Sequence, residues 1–162
     1  MLPTCPQCGR DFVKRTHREG LLEHVLSAVY VYPYRCQLCT HRFRAMEWGK
    51  RYTKQAIDKR QYDRFTVSVP ALLLSDLGRG EGTVVDLSMG GCGMETGVPL
   101  QTGALVQLEL SQEAGEKPIL VESAVVRSVR NKFVGLQFLR LQPEDELRLS
   151  RFVHSLWATS KR

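Results

Sequence analysis

No stretch of this chain approaches the ~18 consecutive apolar residues that a membrane-crossing helix needs, which excludes a helical membrane anchor. The opening residues, Met1-Leu2-Pro3-Thr4-Cys5, carry neither the basic n-region nor the apolar h-region of a secretory signal, so a cytoplasmic protein is expected. No βαβ pattern surrounds the cysteines, which removes a thioredoxin-like redox role. No carboxylate pair and no Cys–His array is evident either, so an enzyme is not expected. A recognition-helix pattern for DNA is also missing. Acidic residues are scarce at one end: residues 1–64 hold thirteen Lys/Arg against six Asp/Glu, whereas residues 65–162 hold ten against eleven. The whole net charge of +6 therefore sits on the N-terminal side and favours an anionic partner there.

What is present fits two parts. A chain of 162 residues allows one ordinary domain, or a small stapled module followed by a domain of about a hundred residues. Its 43% hydrophobic content can supply a packed core. The sequence divides into residues 1–48, a basic linker over 49–64 and a second domain over 65–162.

The first part contains two matched pairs, Cys5-Pro6-Gln7-Cys8 and Cys36-Gln37-Leu38-Cys39, with 27 residues between them. Two thiolates at this spacing chelate one ion from a single tight turn, and a second turn completes a tetrahedral site. Gly9 lets the first turn close. Without a secretion signal disulfides are not expected, and four unrelated buried cysteines would not fall into matched pairs. The expectation is a structural Zn²⁺ held by Cys5, Cys8, Cys36 and Cys39 in a zinc-ribbon-like module. Metal binding would supply much of its folding energy. His41 is a competing ligand by position only. The insert between the pairs carries Leu21, Leu22, Val25, Leu26 and Val29 at helical intervals, so a short helix is expected. Val29-Tyr30-Val31-Tyr32 before Pro33 reads as a short strand. Lys14, Arg15, Arg18, Arg35, Arg42 and Arg44, with aromatics nearby, make a basic surface suited to docking a protein partner, with nucleic acid as the second choice.

Lys50 to Arg64 holds six Lys/Arg and two Asp with no apolar stripe, and is expected to be mobile without a ligand. From Phe65 the period becomes two. Strands are expected over 65–69, 71–74, 82–87, 93–96, 104–110, 119–130 and 132–139, with breaks at 78–80, 99–103, 114–116 and 130–131. Short strands punctuated by turns point to an antiparallel barrel or sandwich. Asn131 suits a tight hairpin. Pro143 fits the first helical position, followed by Glu144, Asp145 and Glu146 at the positive end of the dipole. Leu149, Phe152, Val153, Leu156 and Trp157 then give that helix one apolar face.

Two short motifs carry the chemistry. Arg60-x-x-x-Arg64 places two guanidiniums at the mouth of the first strand. Asp86-x-Ser88-x-x-Gly91 follows within a glycine-rich turn, Asp86-Leu87-Ser88-Met89-Gly90-Gly91-Cys92-Gly93. Together, and in this order, they resemble the two-part signature of the PilZ domain, a bacterial receptor for cyclic di-GMP. The likeness continues through Phe133-Val134-Gly135-Leu136-Gln137-Phe138 into the helix at Pro143, covering about a hundred residues. It implies a mainly β fold, a six-stranded antiparallel β-barrel with a C-terminal α-helix, to which the zinc-ribbon-like module is added. It further implies that Arg60 and Arg64 grip phosphate or guanine, and that Asp86 accepts guanine donors. Ser88 would meet a phosphate or base atom, and Gly91 would admit close backbone approach. Lys59 can touch the ligand as well. These roles suit the chemistry, because arginine both forks onto guanine acceptors and stacks flat on a purine. Cys92 reads as a packed side chain rather than a nucleophile.

The leading expectation is a non-enzymatic cyclic di-GMP receptor or adaptor that changes its linker and inter-domain arrangement on binding, and so signals to a partner. The alternative is a zinc-ribbon nucleic-acid-binding or transcription-associated protein regulated by the barrel.

Overall fold

The computed structural model describes residues 3–49, 61–112 and 115–160. It falls into two units, Met1–Asp63 and Arg64–Arg162.

The first unit holds a three-stranded antiparallel sheet in the order β1 (Val13–Arg15), β2 (Val31–Cys36), β3 (Arg42–Met46), with helix α1 (Gly20–Ala28) inserted between β1 and β2. The expected strand thus starts two residues later than the apolar run, because Val29 caps the helix and Tyr30 adopts a positive φ of 62°. It then continues through Pro33. Proline is tolerated there because β1 pairs only as far as Tyr34, leaving Pro33 beyond its end. Tyr32 and Tyr34 are almost fully buried and form the small core with Phe12 and Leu38. Glu47 ties this core together, accepting the Tyr34 hydroxyl at 2.5 Å and an ion pair from Arg15. The Arg15 guanidinium also lies 4.2 Å over the Tyr32 ring.

Helix α1 forms where its apolar period predicts, but faces the other way. Leu21, Leu22 and Val25 are exposed, while Glu23 is buried. The reason is electrostatic: Glu23 accepts the Glu19 N–H at 2.7 Å and pairs with Arg42 at 2.8 Å and Arg44 at 3.3 Å, both on β3. A buried carboxylate so compensated is tolerated, whereas one turned outward would lose its ion pairs to both arginines.

The second unit is a closed six-stranded antiparallel barrel in the order β4-β5-β6-β9-β8-β7. Its strands are β4 (Phe65–Ser75), β5 (Gly78–Ser88), β6 (Gly91–Thr96), β7 (Leu105–Leu110), β8 (Ile119–Arg130) and β9 (Phe133–Leu141). Inward positions alternate as the period of two requires, and Leu73, Val84, Leu108, Ile119, Val121, Val126 and Leu136 fill the interior. Closure removes the edges that would otherwise invite pairing between chains. Asn131 takes the left-handed conformation (φ 54°) between β8 and β9, as expected.

The expected break at Gly78-Arg79-Gly80 is instead the beginning of β5, and the chain turns earlier, at Asp76-Leu77. Gly80 is there for space: a Cβ would fall 2.1 Å from the Val98 side chain. Helix α2 (Pro143–Ser160) lies against β8 and β4 through buried Leu149 and Val153. No helix of the described residues is long and apolar enough to cross a membrane.

Candidate functional site

Two places concentrate the residues singled out in the sequence. The first is the cysteine cluster. The Sγ atoms of Cys5, Cys8, Cys36 and Cys39 lie within 4.8 Å of one another. Cys5 and Cys39 are 3.6 Å apart, as are Cys8 and Cys36. A tetrahedron with Zn–S bonds of about 2.3 Å has edges of roughly 3.8 Å, so the four thiols stand close to the spacing that a zinc ion requires. Main-chain amides support the sulfurs, for example Leu38 N–H to Cys36 Sγ at 3.5 Å. Burial raises the Cys36 and Cys39 thiols; at Cys5 it is outweighed by the N–H groups of Cys8 and Gln7. An all-sulfur set of four leaves no open position for substrate or water, which is the donor chemistry of a structural site. His41 is not in the cluster.

The second place is the β5–β6 hairpin. Ser88 opposes Gly91 across a two-residue turn, Met89-Gly90, and Asp86 opposes Gly93. The register shifts between Val84 and Asp86, so Val85 is an extra residue. Such a bulge re-aims the side chains beyond it. Here Val84 and Leu87 point into the core while Asp86 stays half-buried at the surface. Asp86 Oδ1 then accepts the Gly93 N–H at 2.9 Å and the Arg64 guanidinium at 2.7 Å. Arg64 immediately precedes β4, whose residue Thr66 pairs with Asp86, so the sheet itself brings the two motifs together.

Glycine is required twice in this hairpin. A Cβ on Gly91 would fall 2.2 Å from the Leu136 carbonyl oxygen of β9, and one on Gly93 would fall 2.5 Å from Asp86 Oδ2. Ser88 is buried, and its hydroxyl donates to the Gly91 carbonyl at 3.1 Å and accepts the Gly90 N–H at 3.3 Å. It staples the turn from within. Cys92 is fully buried, and burial, followed by the charge of Asp86, pushes its thiol up to about 12. That is the opposite of an activated nucleophile.

Arg64, Asp86, Ser88 and Gly91 thus converge on one hairpin, whereas Lys59 and Arg60 lie outside the described residues. A PilZ domain family model matches residues 58–155, spanning both motifs and the barrel. The chain belongs to the PilZ domain family. Among solved structures it is similar to the PilZ domain of YcgR from Escherichia coli with c-di-GMP, at 22% identity and a TM-score of 0.53, covering 64% of this chain and 95% of that one. It is also similar to Escherichia coli YcgR in complex with c-di-GMP, at 17% identity and 0.55, covering 92% and 75% of the two chains. The K. pneumonia MrkH–c-di-GMP complex matches at 17% identity and 0.53, covering 93% and 78%. At these identities the likeness is one of fold. No curated protein matches the chain at a significant level.

Two residues of this PilZ protein were not singled out as site residues by the sequence. Gly93 supplies the N–H that orients Asp86; the hairpin register, counted across the two-residue turn, carries that signal. Gln37, between the cysteines of the second pair, is 2% exposed and bonded through both ends of its amide to Gln61 and Asp63. The last residues of the linker, expected to be mobile, are therefore held by hydrogen bonds within the first unit.

Proposed function

We propose that this PilZ protein is a non-enzymatic receptor for cyclic di-GMP. The observation that carries the reading is the Arg64–Asp86 pair: a guanidinium and a carboxylate 2.7 Å apart at the mouth of the barrel. Cyclic di-GMP presents two phosphates and two guanines, and such a pair complements both. Arg64 takes a phosphate or the acceptor edge of guanine, and Asp86 takes guanine N–H donors. Gly91 and Gly93 keep the hairpin floor free of side chains. Arg60 and Lys59 add positive charge from the linker. Ser88 keeps the turn in shape from inside, and donates to a phosphate only if it gives up its bond to the Gly91 carbonyl. Complexes of YcgR and MrkH with c-di-GMP support the ligand's identity.

Binding then shifts the linker, because the ligand offers Arg60 and Arg64 charge-assisted contacts beyond the solvent-accessible Arg64–Asp86 pair. The change in linker and inter-domain arrangement is the signal, passed to a protein partner through the basic N-terminal module. Zinc held by the four cysteines keeps that module folded. Calorimetric titration of the full chain with cyclic di-GMP, alongside Arg60→Ala and Arg64→Ala, tests the reading. Saturable binding that both substitutions weaken supports it, and no binding by the intact chain overturns it.

A further inference from the structure

The second cysteine pair carries more than two metal ligands. Gln37 lies between Cys36 and Cys39 and is almost fully buried. Its main-chain N–H donates to the Phe12 carbonyl at 2.9 Å. Its side-chain amide turns to the linker, where Nε2 donates to the Gln61 carbonyl at 3.1 Å and Oε1 accepts the Asp63 N–H at 2.8 Å. This is the pairing a neighbouring strand would offer, supplied by one side chain. The residues beside it complete the hold. Arg35 donates to the Tyr62 hydroxyl at 3.4 Å, with its guanidinium 5.9 Å from the ring centre. Lys14, which faces Arg35 across the β1–β2 ladder, pairs with Asp63 at 2.5 Å.

Gln61, Tyr62 and Asp63 are the interior of the Arg60-x-x-x-Arg64 motif. Each is therefore gripped by a residue at or beside the metal knuckle, and the grip leaves the two arginines on either side. A buried amide satisfied at both ends fixes the segment more firmly than a surface ion pair, because breaking it strands donor and acceptor away from water. The knuckle that aims Gln37 is in turn shaped by its cysteines, and a module of this size has little core with which to hold that shape without a metal.

We propose that Gln37 is a positioning residue that latches the arginine motif to the four-cysteine knuckle, so that metal occupancy sets the affinity for cyclic di-GMP. The second half of this proposal rests on the receptor reading above; the latch itself does not. Loss of the metal releases residues 61–63, and the segment between the two arginines must then be ordered by ligand binding, at an entropic cost.

The test uses the full chain in four forms: wild type loaded with zinc, wild type after chelation, zinc-loaded Gln37→Ala, and zinc-loaded Gln37→Glu as the conservative variant. Gln37→Glu keeps an acceptor for the Asp63 N–H and sets a carboxylate against the Gln61 carbonyl. Amide exchange at Asp63 reads the latch directly. It should quicken about tenfold or more in Gln37→Ala and after chelation, with a smaller change in Gln37→Glu. The dissociation constant for cyclic di-GMP should rise roughly three- to tenfold in Gln37→Ala at unchanged zinc content. Equal Asp63 exchange in wild type and Gln37→Ala overturns the latch. Faster exchange with unchanged affinity overturns the coupling to ligand. A wild-type chain that binds no cyclic di-GMP overturns the receptor reading and the coupling together, while the exchange arm still decides the latch.

Discussion

Arg64 Nη1 lies 2.7 Å from Asp86 Oδ1, and the two side chains are 25% and 26% exposed. A pair this open to solvent contributes only about 0.2–1 kcal/mol. A charge-assisted contact to a ligand phosphate is worth about 1.5–3 kcal/mol, so the pair orients Arg64 without locking it. In the proposed receptor Asp86 would thereby have two duties, to aim the arginine and to receive guanine.

From that balance, Arg64→Ala should lower affinity for cyclic di-GMP roughly tenfold or more. Asp86→Ala should also weaken binding and, by removing the acceptor for guanine donors, let cyclic di-AMP compete better. Competition titrations with both dinucleotides measure this. If neither substitution alters affinity or selectivity, the ligand does not use this hairpin.

The hairpin glycines separate stability from function. Gly91→Ala drives a methyl into the Leu136 carbonyl, where the backbone of β9 cannot give way, so a loss of about 1–3 kcal/mol is expected. Gly93→Ala meets the Asp86 carboxylate and the Phe133 ring, both of them side chains able to move. It should cost less in melting temperature and more in ligand affinity, because it displaces Asp86. Thermal melts read the first difference, and a Gly93→Ala chain that binds cyclic di-GMP as tightly as the wild type would show that Asp86 has no role.

Much of this was legible beforehand, and what was not has physical causes. Matched cysteine pairs and a period of two depend on residue type and spacing alone, so the four-cysteine cluster and a series of antiparallel strands followed from the sequence, whereas the six-stranded barrel came from the PilZ resemblance. The orientation of α1 did not, because burying Glu23 depends on two arginines that reach it only once β3 is in place. Ser88 has the chemistry of a phosphate ligand, yet the two-residue turn engages its hydroxyl internally. Gly78 and Gly80 looked like a turn because glycine breaks strands in general; Val98, eighteen residues after Gly80, explains the exception. Gln37 was hidden by its neighbours, since a residue between two metal ligands is read as spacer.

Zinc should be found at about one ion per chain, and Cys36→Ser should unfold the N-terminal module while the barrel melts nearly as before. Burial holds the Cys36 and Cys39 thiols above their ordinary value, so protons compete with the metal for them. Metal binding releases those protons, and affinity for zinc therefore falls as pH falls. Chelator titration across a pH series measures the slope. A metal-free N-terminal module that stays folded would contradict the structural role.

Cys92 supplies a different pH dependence. Its thiol is raised from an ordinary 9.0 to about 12 by burial and then by Asp86, with Arg64 opposing. A group raised in the folded state gives a stabilising contribution that is whole below the unfolded value and disappears as pH rises through the folded one. The contribution is thus complete below about pH 9 and lost towards 12. Cys92→Ala should flatten the fall in denaturant midpoint over that alkaline window. Iodoacetamide near pH 8 should leave Cys92 untouched in the native chain, because thiolate and access are both lacking. Rapid alkylation there would reopen a nucleophilic role.

The N-terminal charge has a final consequence. Thirteen Lys/Arg over residues 1–64 look like a nucleic-acid surface by count. Several are already answered by carboxylates of their own unit: Arg15 by Glu47, Lys14 by Asp63, Arg42 by Glu19 and Glu23, and Arg44 by Glu23. A cation held this way releases few counterions when it meets a phosphate, because leaving its carboxylate cancels the gain. The slope of log K against log salt is about −0.9 per phosphate neutralised, so a depleted set of cations gives both weak binding and a shallow slope. With no recognition-helix pattern in the sequence to read base edges, any DNA or RNA binding should be unselective and lost at physiological salt. A protein partner asks less of free charge, and the outward Leu21, Leu22 and Val25 of α1 offer it apolar area. Filter binding of duplex and single-stranded probes over a salt series decides between these roles. Sequence-selective binding that survives physiological salt would make nucleic acid the first choice.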